Sequence, residues 1–280
     1  MRPRFGPDRD TFRYLRFPTS GIRCIRQSPS FEISVCVKVE ICLSSCGVTV
    51  GVVMKLKNCG KNKLWHRIRG VVDGYAAGIV RLIAESYGAQ TLERAWQEFT
   101  LGEGHPFQCG NPHTELFFSW LFHNWSPSRE KGSRVNDPSL YGVPPTRAYL
   151  DRNAARLDPL LCRYLETCLV TSPGFYEVCN CKPTIGFGAR DVVSGVEFEV
   201  SEELASASLI DGDVMFAHLV QMGGTTVLEA ISAVSFPPET KRWLRRLCRT
   251  CDCESLAIDM RALYFVLAQS ELCRSKATLH

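Results

Sequence analysis

Pro173-Gly-Phe-Tyr-Glu-Val178 is the stretch at which the chain changes its periodicity, and it decides the fold class. Before it, apolar residues recur at steps of three and four, the repeat of an amphipathic helix. After it they alternate, the repeat of a half-buried strand. Phe175–Val178 reads as a first short strand. Val196-Glu-Phe-Glu-Val200 alternates cleanly, with Glu197 and Glu199 on the water side and Ser194-Gly195 as a tight turn before it. Asp211-Gly-Asp213 turns into Val214-Met-Phe-Ala-His-Leu-Val220, and Gly223-Gly224 turns that strand into Thr226–Phe236. About five strands in roughly 60 residues, with no helix between them, predict an antiparallel meander curled into a small barrel or half-barrel. Pro237-Pro238 ends it.

Upstream, Leu64, Ile68, Val71, Val72, Tyr75, Ile79, Leu82 and Ile83 form one apolar stripe and predict a single helix. Gly70, Gly74 and Gly78 recur along it at every fourth position and point to a close helix–helix approach. The charges His66, Arg67, Arg69, Asp73, Arg81 and Glu85 exclude a membrane helix. Thr91 is placed to cap a helix over Leu92–Phe99. Leu116–Trp125 is aromatic on nearly every side and belongs at the centre of a helical cluster. Ser126–Pro145 is polar, carries several prolines and reads as a connection, and Arg152–Val170 reads as a fourth helix. Downstream, Glu239–Arg249 and Ser255–Gln269 are closing helices. The expected fold is therefore α+β: a helical region over 54–170, a small antiparallel β unit over 171–238, closing helices over 239–269 and an irregular tail over 270–280.

Residues 1–53 differ in character. They hold eight Arg and Lys (Arg2, Arg4, Arg9, Arg13, Arg16, Arg23, Arg26, Lys38) against four acids (Asp8, Asp10, Glu32, Glu40), out of 33 basic and 29 acidic residues in all. The remainder of the chain thus has 25 of each and is neutral, so net charge gives no argument for a polyanionic partner. The apolar run Ile41–Met54 is shorter than the roughly 20 residues that cross a bilayer, and its long leader does not fit a signal peptide. The head reads as a disordered or mis-assigned upstream extension, with translation starting at Met54; a pair of β-strands and a targeting segment are the alternatives. The 14 cysteines occur in apolar periodic segments (Cys162, Cys168, Cys248) as often as in loops. A chain long enough to build its own core does not depend on a disulfide framework. They are read as reduced thiols in a cytoplasmic protein.

Four cysteines offer a metal alternative. Cys179, Cys181, Cys251 and Cys253 would supply the four soft ligands of a structural zinc if the two pairs met, although a one-residue spacer is tight for such a site. No other cofactor is expected. Among the histidines His105, His113, His123 and His218, a hydrogen-bonded structural role outweighs a catalytic one, and Thr114 or Glu115 is placed to serve the start of the aromatic helix. No phosphate loop, dinucleotide fingerprint, nucleophile elbow or His-Glu-x-x-His is present. Lys241, Arg242, Arg245, Arg246 and Arg249 gather on one helix, with Trp243, Leu244 and Leu247 set to face inward, and would meet the phosphates of a nucleic acid. The strand face is less suitable for phosphate, because Glu197, Glu199, Glu202 and Glu203 would repel it.

His113-Thr-Glu-Leu-Phe-Phe-Ser-Trp-Leu-Phe-His-Asn-Trp125, Phe175-Tyr-Glu-Val178, Arg190-Asp-Val-Val-Ser-Gly-Val196 and Leu209-Ile-Asp-Gly-Asp-Val214 resemble a group of uncharacterised bacterial cytosolic proteins, some of which carry the zinc-binding SEC-C motif. The resemblance runs from about Leu64 to Gln269 and implies no enzymatic activity. The motif expects Cys-x-Cys and then, about eight residues on, Cys-Cys or Cys-His; neither cysteine pair here has that sequel, so the zinc function does not carry over. Relatives continue past Leu267, so Glu271–His280 reads as the end of a truncated or frame-shifted gene. The function expected from the sequence is a non-catalytic binding module with a protein partner and no membrane association. The alternatives are a hydrolase or transferase with a dispersed site, and a nucleic-acid-binding protein that uses the basic helix.

Overall fold

The computed structural model describes residues 15–16, 38–44, 47–53, 63–72, 74–88, 90–102, 106–108, 111–129, 134–250 and 259–277. In the head, β1 (Leu15–Arg16), β2 (Lys38–Ser44) and β3 (Gly47–Val53) pair in sequence order as an antiparallel sheet. The strand pair weighed for the head has its counterpart in β2 and β3, which run Lys38 opposite Val53 to Ser44 opposite Gly47.

The stripe that predicted one helix forms two, α1 (Lys63–Val72) and α2 (Tyr75–Leu82), followed by a π-helical turn over Ile83–Tyr87. Gly74 makes the break, with φ of 98°, a conformation that costs other residues strain. The close approach belongs to Gly78 alone of the three glycines: a Cβ there would lie 2.7 Å from the Tyr149 ring, whereas Gly70 and Gly74 face open space. Next comes α3 (Thr91–Phe99), and here the cap differs from expectation. Gln90 holds the capping position, while the Thr91 hydroxyl donates to the Tyr87 carbonyl at 3.0 Å.

The aromatic helix is α4 (Thr114–His123), buried at Leu116, Phe117, Leu121 and Phe122, with Phe117 edge-on to Trp96 at 5.0 Å between ring centres. The expected fourth helix is two elements, α5 (Pro145–Asn153) and α6 (Pro159–Val170). Each begins with proline at its first position, where the missing N–H is no loss. Asp158 precedes Pro159, a position barred from helical backbone, and its carboxylate accepts from the Leu160 N–H at 2.7 Å.

The β unit comprises β4 (Gly174–Lys182), β5 (Gly186–Asp191), β6 (Glu197–Val200), the one-turn helix α7 (Glu203–Ser206), β7 (Val214–Met222) and β8 (Thr225–Phe236). The strands close into a barrel in the order β4-β5-β6-β8-β7. One contact departs from a meander: β8 lies beside β6 in parallel, Val200 opposite Thr226. β4 pairs with β7 over Gly174–Glu177 and with β5 over Tyr176–Lys182, so this strand serves both walls. The one-turn α7 between the third and fourth strands corrects the expectation of a run of strands with no helix between them.

Alternation along β7 explains how barrel and helices share a core. Met215, Ala217 and Leu219 fill the barrel with Tyr176, Val178, Phe187 and Val200. Val214, Phe216, Val220 and Met222 point the other way and join the core of α1 to α6. The chain closes with α8 (Glu239–Thr250) and α9 (Met260–Ala277), the latter reaching beyond Gln269. In α9, Tyr264 stacks on Phe216 at 4.6 Å. No helix among the described residues is long and apolar enough to cross a membrane.

Candidate functional site

The largest gathering of chemically capable groups lies where the helices meet β7 and β8. Opposite the step from His218 to Leu219, β8 carries one extra residue: His218 faces Ala230 and Leu219 faces Leu228, which leaves Glu229 unpaired. Such a bulge re-aims a side chain, and here it points a carboxylate at the helices. Glu229 accepts from the Tyr75 hydroxyl of α2, the Tyr164 hydroxyl of α6 and, at 3.3 Å, Nε2 of His123 in α4. A carboxylate only accepts, so Nε2 carries the hydrogen; in the neutral ring Nδ1 then accepts from Thr146 Oγ1 of α5, 2.9 Å away.

A second histidine completes the cluster, its ring centre 5.8 Å from that of His123. His218 Nε2 lies 2.8 Å from Thr171 Oγ1, which itself donates to the Thr167 carbonyl, so Nε2 is the donor. Nδ1 is left to accept from Ser119 Oγ, also at 2.8 Å. Every ring nitrogen in the cluster has a partner within the protein.

Burial governs the charges. Burial alone would raise the Glu229 pKa, but the hydrogen bonds from His123, Tyr164 and Tyr75 override it and hold the carboxyl down at about 2. Burial and the neighbouring His123 lower His218 to about 4, so it is neutral at physiological pH. Burial foremost, and then the Glu229 charge, push Tyr75, Tyr164 and the Cys168 thiol well up. Glu229 is thus a buried anion, and the Tyr75 and Tyr164 hydroxyls that donate to it stay protonated. Chemically the Glu229–His123 pair has the parts of an acid–base dyad. Its side chains are nevertheless sealed, with exposure of 0% for His123 and 9% for Glu229. An open depression lined by Arg94, Gln97, Glu98, Leu101 and Arg261 shares no residue with it.

Beside this cluster, Arg69 of α1 reaches the barrel, pairing with Glu202 at 2.6 Å and donating to the Leu228 carbonyl at 3.0 Å. Glu202, read above as part of an exposed acidic face, is instead buried in that ion pair. Glu197 and Glu199 do lie on the outer face of β6. There Arg190 bridges Glu197 at 2.6 Å and Glu177 at 3.4 Å, and Lys241 of α8 also binds Glu177.

The basic helix does not present its five cations as one stripe. Lys241 is used on Glu177, and Arg245 Nε donates to the Val192 carbonyl at 3.1 Å, so both fasten α8 to the barrel. Arg242 and Arg246 are exposed, and the Arg249 side chain lies outside the described residues. Leu244 is buried as expected, but Trp243 is 45% exposed and faces outward, a correction to the inward reading. The metal reading has half its residues, Cys251 and Cys253, outside the described set. Cys181 lies 3.4 Å from the Ser206 carbonyl, whereas Cys179 neighbours Gly188, with Asn180 between them at a φ of 51°. Among the described residues no three or more His, Cys, Asp or Glu gather to hold a metal.

His113 bonds Tyr264 Oη through Nδ1 at 2.7 Å, and burial lowers its pKa to about 4; His105 lies outside the described residues. Sequence reading passed over Glu229, Tyr75 and Tyr164. One signal was available for the first: Glu229 is the only charged residue within Thr225–Phe236. No family model, curated protein or solved structure matches the chain.

Proposed function

We propose that the protein is a non-catalytic binding module that presents its contact residues on a barrel locked to a helical cluster. One observation carries this reading: the buried Glu229, His123 and His218 find their partners inside the molecule, while α8 exposes a large aromatic ring, Trp243, on its outer side. The Glu229–His123–His218 cluster joins α2, α4, α5 and α6 to β7 and β8, and fixes the barrel relative to the helices. Fold alone assigns no function, but small barrels of this topology serve repeatedly as rigid carriers of binding loops and faces. The resemblance to bacterial cytosolic proteins implies no activity either, in keeping with a module.

The test is capture from the source cells with the tagged full chain, comparing wild type with Trp243→Ala and His123→Asn. Retention of one macromolecule, lost in Trp243→Ala, supports the module. Turnover of a small molecule that His123→Asn abolishes would replace it with an enzyme.

A further inference from the structure

We propose that the end of the barrel covered by α7 docks a basic segment of a protein partner. Ile185, Leu204 and Ile210 receive its apolar side chains, and the surrounding carboxylates receive its cations. The inference rests on the binding-module reading above and gives that module a contact face and a partner chemistry. The backbone brings the three apolar residues to one end. The Cys181 N–H donates to Asp211 Oδ1 at 2.7 Å, and the Cys181 thiol lies 3.4 Å from the Ser206 carbonyl and 3.5 Å from that of Leu209. Gly186 lies against Val200 and Ser201, which lead from β6 into α7. The β4–β5 turn, α7 and the loop into β7 therefore adjoin. Within α7 and its loop the side chains divide. Ala205 and Leu209 pack onto the barrel core. Their neighbours Leu204 and Ile210 are 41% and 44% exposed, and Ile185 in the turn is 56% exposed.

Charge identifies the occupant. Residues 181–188 and 199–213 hold Glu199, Glu202, Glu203, Asp211 and Asp213 against one cation, Lys182. Glu202 is bound by Arg69, but Glu199 and Glu203 pair with no cation among the described residues. Such a field repels nucleic acid and anionic lipid headgroups. A second copy docking through the same end would set these acids against their own counterparts, which disfavours a symmetric pair. A protein segment with large apolar residues set among Lys and Arg matches both features. The apolar centre supplies affinity, and the charged rim supplies steering and specificity. The opposite end of the barrel lacks this combination. There the β5–β6 turn exposes Val193 and Val196, but Glu197 is paired with Arg190. That end is apolar without an acidic field to select a cationic partner.

The experiment is fluorescence anisotropy of the full chain with a labelled peptide of Leu and Lys set at helical spacing, and with its counterpart carrying Glu in place of Lys, over a range of salt. The Lys peptide should bind and the Glu peptide should not. Ile185→Ser, Leu204→Ser and Ile210→Ser should each weaken binding about five- to thirtyfold. Glu199→Gln and Glu203→Gln should each weaken it about two- to fivefold, and by less as salt rises. Val193→Ser, at the other end of the barrel, should leave it unchanged. Unchanged unfolding midpoints will show that the variants fold. No binding of the Lys peptide, equal binding of the Glu peptide, or binding insensitive to Ile185→Ser, Leu204→Ser and Ile210→Ser overturns the proposal. So does a loss in Val193→Ser as large as that in Ile210→Ser. If the peptides fail while cell capture still retains a macromolecule that Trp243→Ala loses, this face is wrong and the module reading stands. If capture is empty as well, both fall.

Discussion

The two walls of the barrel put the same kind of residue to opposite uses. On the wall of β7 and β8, Glu229 is sealed under helices, and its charge is held by two tyrosines and a histidine. On the wall of β5 and β6, Glu197 is 58% exposed at its side chain and pairs with Arg190 in water. A carboxylate in a strand is thus no feature by itself. What covers it decides whether it fixes the tertiary structure or decorates the surface. The desolvation that makes a buried charge costly also makes losing its partners costly, whereas water stands ready to replace Arg190.

The strongest way to break this comparison is Glu229→Ala. It leaves Tyr75, Tyr164 and His123 without their acceptor and should lower stability by about 3–5 kcal/mol in urea unfolding at neutral pH. Glu229→Gln keeps the shape and one acceptor and should cost less, about 1.5–3 kcal/mol. If both are as mild as a surface change, the cluster is not the tie described.

Acid is the next largest lever. Glu229 has its carboxyl lowered from 4.5 to about 2, so its contribution is complete above pH 4.5 and is lost as pH falls toward 2. His218 and His113 are lowered from 6.5 to about 4; the folded state resists their protonation, so each withdraws stability as pH falls from 6.5 through 4. All three act in the same direction. At about 1.4 kcal/mol for each pH unit of displacement, each is worth up to about 3 kcal/mol. Stability measured from pH 7 to pH 3 should fall throughout, and His218→Gln should flatten the part between 6.5 and 4.

Smaller effects sharpen the contrast within the exposed wall. A Cβ at Gly186 would lie 2.3 Å from the Val200 carbonyl oxygen, a backbone atom that the β5–β6 pairing fixes. Gly186→Ala should cost about 1–3 kcal/mol, showing that this wall is rigid in backbone even where its side chains are wet. The clash at Gly78 is with the Tyr149 side chain, which can swing aside, so Gly78→Ala should stay within about 1 kcal/mol. Smallest is Glu197→Ala, within about 0.5 kcal/mol and further reduced by salt.

Much of the architecture was legible locally. The change of period at Pro173, the turns at Ser194-Gly195 and Gly223-Gly224, and the all-round aromatic character of α4 each identify an element without reference to its neighbours. The failures have local causes too. Pro144-Pro145 reads as a breaker although Pro145 starts α5, because proline punctuates loops and opens helices alike. The outward turn of Trp243 was hidden because a helical wheel shows which residues share a face but not which face meets the core.

The sequence by itself determined the class, the switch from helices to strands at Pro173 and the neutrality of the body, since these follow from periodicity and composition. Only the tertiary structure decided that β8 returns beside β6 to close the barrel, that a bulge turns Glu229 toward the helices, and that α8 fastens Lys241 and Arg245 to the barrel. Those outcomes depend on partners far apart in the chain, such as Tyr75 with Glu229 and Lys241 with Glu177. No local pattern encodes such a pairing, because the energy that selects it exists only once water has been excluded from between the partners.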